Sequence, residues 1–98
     1  MIVVRDIFQI KFGKMRDVIA IWRDGQEILK RTGHQPHRVL TDLTGQYYTF
    51  VLESSFNSLA EFEAGHQGTG ASEEWRKFYD RFTLLVDSGR REIFNVVA

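Results

Sequence analysis

The stretch Ile2-Val3-Val4-Arg5-Asp6-Ile7-Phe8-Gln9-Ile10-Lys11-Phe12 opens the chain and decides its fold. Its β-branched and aromatic residues alternate roughly in and out, the pattern of a half-buried strand, and Gly13 breaks it. From Lys14 to Arg31 the period changes: Met15, Val18, Ile19, Trp22, Ile28 and Leu29 recur at helical spacing. Lys30 and Arg31 suit the negative end of the helix dipole, and Gly33 is a natural terminator.

Working outward, residues 37–43 alternate again, Thr44-Gly45-Gln46 reads as a turn, and residues 47–54 complete an antiparallel hairpin. Ser58 and Glu61 have the spacing of a capping box, which predicts a short helix through Ala64. The run Gly65-His66-Gln67-Gly68-Thr69-Gly70 opposes helix and is expected to interrupt it as a flexible gate. Ser72 restarts a helix whose stripe holds Trp75, Phe78, Tyr79, Phe82, Leu85 and Val86, with Gly89 as its end. Residues 92–97 form the last strand. The order is βαββαβ: an α+β, ferredoxin-like single domain over residues 1–98, with a four-stranded antiparallel sheet and its helices on one face.

Helices on one face leave the other to be covered or solvated. Even positions of the first strand (Ile2, Val4, Asp6, Phe8, Ile10) form the richer face, expected beneath the helices together with Tyr48, Phe50, Leu52, Phe94 and Val96. The opposite face, with Val3, Arg5, Ile7, Tyr47, Val51 and Ile93, is mixed rather than polar. Packing two such sheets back to back would cover it, so a homodimer is expected.

Composition removes several classes. Thirteen basic residues balance thirteen acidic ones, so the electrostatic basis for binding nucleic acid or an anionic membrane is lacking. With no cysteine there is no disulfide framework and no thiolate metal site. No apolar run approaches the ~20 residues of a membrane span, and the chain reads as cytoplasmic. It contains no nucleophile elbow and no His-Glu-x-x-His, which argues against hydrolase and zinc-protease readings.

The opening strand and turn (residues 3–15), the helix after them and Glu73-Glu74-Trp75-Arg76-Lys77-Phe78-Tyr79 resemble a NIPSNAP-type domain over essentially the whole chain. Such domains belong to the dimeric α+β barrel superfamily, with the antibiotic-biosynthesis and haem-degrading monooxygenases. The resemblance implies a homodimer whose sheets pair into a barrel, and a pocket between sheet and helices. Haem-degrading relatives carry an Asn in the first strand, then a Trp and a His in the second helical region. Here the matches would be Asp6, Trp75 and His66, but Asp replaces Asn and His precedes Trp.

Candidate chemistry centres on Asp6, a carboxylate in the middle of an apolar strand face. It reads either as a proton-moving group in a pocket or as one half of an ion pair with Arg38 or Arg91. His66, in the glycine-rich run, is a second candidate proton carrier or a solvated ring. Trp22, Trp75 and Tyr79 lie on aromatic helix faces that pack a core or line a site for a planar ligand, and the Tyr48 and Tyr79 hydroxyls suit orienting such a ligand. Glu63-x-x-His66 and His34-x-x-His37 lack the further ligands a metal needs, so neither a metal nor another cofactor is expected.

Three classes remain open. One is a small-ligand-binding NIPSNAP-like domain acting as a homodimer, with a small aromatic ligand as partner. Another is a cofactor-independent monooxygenase, isomerase or cyclase on an aromatic or polycyclic substrate. The last is a structural dimer. The first is preferred.

Overall fold

In the computed structural model, which describes residues 1–32, 38–70 and 72–98, the opening strand is central to the sheet. β1 (Ile2–Ile10) is flanked by β3 (Thr49–Phe56) and β4 (Val86–Asn95), and β2 (Arg38–Thr41) lies outside β3. Every neighbouring pair is antiparallel and the order is β2-β3-β1-β4, the ferredoxin-like arrangement. The helices are α1 (Met15–Arg31), α2 (Leu59–Gly70) and α3 (Glu73–Thr83). Gly33 and the pair His34 and His37 lie outside the described residues.

The alternation read in β1 places its even residues beneath the helices. Ile10 packs with Phe50 and Leu52 of β3, Val18, Trp22, Ile28 and Leu29 of α1, and Phe78 and Phe82 of α3 in one core. α1 ends where Thr32 turns its hydroxyl back onto the carbonyls of Ile28 and Leu29, satisfying acceptors that the last turn would leave open.

α1 and α3 approach closely because Gly25 offers no side chain. A Cβ there would lie 2.6 Å from the Phe78 ring. Gly25→Ala is therefore expected to destabilise the domain by about 1–3 kcal/mol through overpacking, although alanine is the better helix former. Urea denaturation of the pure variant reads this directly; a gain in stability would mean that the helices are not so tightly apposed.

Several readings change. The last strand begins at Val86 instead of Glu92, because residues 86–95 pair with β1. That register sets Phe94 opposite Val3, so Phe94 is on the outer face, while Ile93 and Arg91 lie on the helix face opposite Val4 and Asp6. Gly89 is not a helix terminator; it sits in β4 opposite Phe8, where a Cβ would come within 2.8 Å of the ring. The hairpin's second strand starts at Thr49, because Asp42 accepts the Thr49 N–H at 2.9 Å and Tyr48 closes the turn with φ +57°.

The glycine-rich run, expected to interrupt the helix, is instead helical and forms the second half of α2. Ser58 accepts the Glu61 N–H and Glu61 reaches back to the Asn57 N–H, both at 3.1 Å, so nucleation is supported at the start. Further on, His66 stacks on Phe62 one turn earlier, with ring centroids 5.6 Å apart. Capping and tertiary packing outweigh the propensity cost of Gly65 and Gly68, of order 1 kcal/mol each.

The outer face carries Val3, Ile7, Val51, Leu40 and Phe94 around a row of charge. Glu53 gives one carboxylate oxygen to Arg5 and the other to Arg38, each at 2.8 Å, and is itself only 14% exposed. Arg5 also lies over the Phe94 ring.

Candidate functional site

Between the sheet and the helices lies a cavity of about 460 Å³. Its floor is the helix face of the sheet: Asp6 and Phe8 from β1, Leu52, Ser54 and Phe56 from β3, and Arg91 from β4. α1 contributes Trp22 and Leu29, α2 contributes Phe62, Gly65, His66 and Thr69, and α3 contributes the face from Trp75 to Phe82.

The aromatic wall is continuous. Trp22 meets Trp75 edge to face at 6.3 Å, Trp75 tilts over Phe78 at 5.0 Å, and Tyr79 lies 6.0 Å from Phe82. On the other side Phe56 meets Phe62 at 5.3 Å. Ring faces and edges of this kind receive a flat apolar molecule well, because they offer area without much side-chain entropy to lose.

One ion pair interrupts this lining. Arg91 donates Nε–H to an Asp6 carboxylate oxygen at 2.5 Å, and its guanidinium lies 5.1 Å from the centre of the Phe62 ring. The β1–β4 register places the two residues directly opposite each other. Of the two pairings open to Asp6 in the sequence, Arg91 is the one formed; Arg38 pairs with Glu53 on the other face. A second cavity, of about 390 Å³, runs along β4 and shares Asp6, Phe8, Tyr79, Phe82 and Arg91 with the first.

Of the candidate residues, Asp6, His66, Trp22, Trp75 and Tyr79 all line the larger cavity. Trp22 is buried, Trp75 is half-buried, and Tyr79 and His66 are at the exposed rim. Tyr48 is not among the lining residues: its left-handed turn conformation packs its ring edge to face with Phe12, 5.0 Å away. Phe62 and Ser54 were not singled out from the sequence, and Arg91 was read there only as one of two possible partners of Asp6. The β1–β4 register decides between Arg38 and Arg91 and sets Arg91 on the cavity wall. Phe62 was legible as an aromatic four residues before His66. Ser54, 6% exposed, carries a hydroxyl with no hydrogen bond to any described residue, on the same face as the Asp6–Arg91 pair.

Among the described residues no three His, Asp or Glu side chains gather as a metal site, and no helix is long and apolar enough to cross a membrane.

Comparison with known proteins agrees with this architecture. The NIPSNAP family model matches residues 5–98. A NIPSNAP domain protein from Burkholderia xenovorans superposes with a TM-score of 0.88 at 19% identity, covering 100% of this chain and 96% of its own. A NIPSNAP family protein from Agrobacterium tumefaciens gives 0.90 at 20% identity, covering 98% and 92%. An antibiotic biosynthesis monooxygenase gives 0.71 at 16% identity, covering 100% of both chains. Among functionally curated proteins none matches significantly.

Proposed function

The chain belongs to the NIPSNAP family, and we propose that it is a small-ligand-binding domain that works as a homodimer and takes a planar aromatic ligand between sheet and helices. The observation carrying this reading is the cavity itself: about 460 Å³, walled by Trp22, Trp75, Phe78 and Phe62. That volume lies within the ~300–1,000 Å³ of small-molecule sites. Trp22 and Trp75 are the two tryptophans of the chain. A thermal-shift screen against quinones, polyphenols and haem tests the reading, with a rise in Tm expected for at least one flat aromatic compound. A screen in which nothing raises Tm would contradict it.

The homodimer is supported by the outer sheet face. Its central carboxylate, Glu53, is paired with both Arg5 and Arg38, and its apolar residues are spread across all four strands. A cysteine-free chain with no apolar helical span among its described residues suits the cytoplasm, which we take as its compartment.

Asp6 supports a second reading, cofactor-independent monooxygenase, isomerase or cyclase chemistry on an aromatic substrate. It brings a carboxylate to the cavity wall, and His66 brings an imidazole to the rim. In that reading Asp6 accepts a proton from bound substrate while the aromatic walls exclude water. The likeness to an antibiotic biosynthesis monooxygenase is one of fold.

A further inference from the structure

We propose that Arg91 is an anion subsite, so that the ligand is an aromatic molecule bearing a carboxylate or an equivalent acidic oxygen. This rests on the cavity being a ligand site and adds the polar end of the ligand.

Arg91 is held from two sides. Its Nε–H is given to Asp6, and the flat guanidinium lies on Phe62. The guanidinium hydrogen-bonds to no other described residue, so most of its five N–H donors are left for a ligand. The side chain keeps 38% of its surface exposed, whereas its Asp6 partner keeps 18%. A guanidinium fixed in place and still offering its fork matches the two oxygens of a carboxylate.

Position supports the same chemistry. Arg91 lines both the aromatic chamber and the cavity along β4, so it stands where the two meet. An aromatic body in the larger chamber would place an acidic substituent against it. The other charged groups are less suited. Arg76 is exposed on the rim with Asp80 one turn along α3, and His66 is stacked on Phe62. Asp6, Asp80 and Asp87 oppose an anion, and of these Asp6 is already engaged by Arg91.

Isothermal titration with 2-naphthoate and its neutral isostere 2-naphthamide provides the test. The wild-type chain is expected to bind naphthoate at least about tenfold more tightly, the scale of a charge-assisted hydrogen bond. Arg91→Gln is expected to erase the preference and Arg91→Lys to keep part of it. Asp6→Asn keeps an acceptor for Nε–H but removes the opposing charge, and should tighten naphthoate several-fold. Equal affinities in the wild type, or a preference that survives Arg91→Gln in a folded variant, would overturn the anion subsite and leave the ligand cavity standing. Binding of neither compound would overturn both.

Discussion

Trp22→Ala is expected to remove about 3–5 kcal/mol of folding free energy, the range for deleting a large buried aromatic. Trp22 is 4% exposed and meets three rings from the two layers it bridges: Phe50 on the sheet at 6.1 Å, and Trp75 and Phe78 on α3 at 6.3 and 5.7 Å. Truncation to alanine would leave a void where Trp22 bridges the sheet and α3. In a domain of this size each 1 kcal/mol corresponds to roughly 4–8 °C in Tm, so the fall should exceed about 12 °C. The same change removes the ceiling of the cavity, so ligand binding should weaken with stability. A loss below about 1 kcal/mol in urea denaturation would contradict the packing described.

Val51→Lys is expected to split the proposed homodimer. Val51 lies on the outer sheet face between Ile7 and Leu40, where an unpaired ammonium would be desolvated by a second sheet. A cost of about 3 kcal/mol or more weakens association by a hundredfold or more. Outside the dimer the lysine is solvated, so the monomer should keep its far-ultraviolet circular dichroism. Sedimentation velocity at micromolar concentration should show about twice 11.4 kDa for the wild type and a single 11.4 kDa species for the variant. A wild type that sediments as the monomer would end the homodimer reading.

Much of the fold was legible because local pattern and tertiary demand agree there. The even face of β1 and the helical period of α1 follow from alternation and spacing, and Asp6 stands out as the one charge on that face. What was missed lies where pairing or packing overrules local preference. Ser88, Gly89 and Arg90 do not read as a strand, yet they pair with β1 at the sheet edge, where polar side chains reach solvent, and Asp87 is left unpaired at a register shift beside them. Without the β1–β4 register, Phe94 was assigned to the wrong face, and the choice between Arg38 and Arg91 as the partner of Asp6 stayed open.

The site was legible to a similar depth. Aromatic residues on α1 and α3 are visible as helix stripes, and they converge on one cavity. Tyr48 was misplaced because the hairpin turn extends two residues further, through Tyr48 in a left-handed conformation that period-2 counting does not register. The Phe62–His66 wall was hidden by glycines that argue against helix, although the Ser58 cap argues for it.

The most direct measurement of ligand binding between sheet and helices is a ¹H–¹⁵N titration that follows the indole N–H signals. The chain has two tryptophans, Trp22 and Trp75, and both line the cavity, so its two indole signals report from inside it. A bound aromatic carboxylate is expected to shift both indole signals, and Arg91 Nε–H with them, while the amides of Val51 and Leu40 on the outer face stay in place. Shifts confined to the outer-face amides, with both indoles unmoved at saturation, would contradict it.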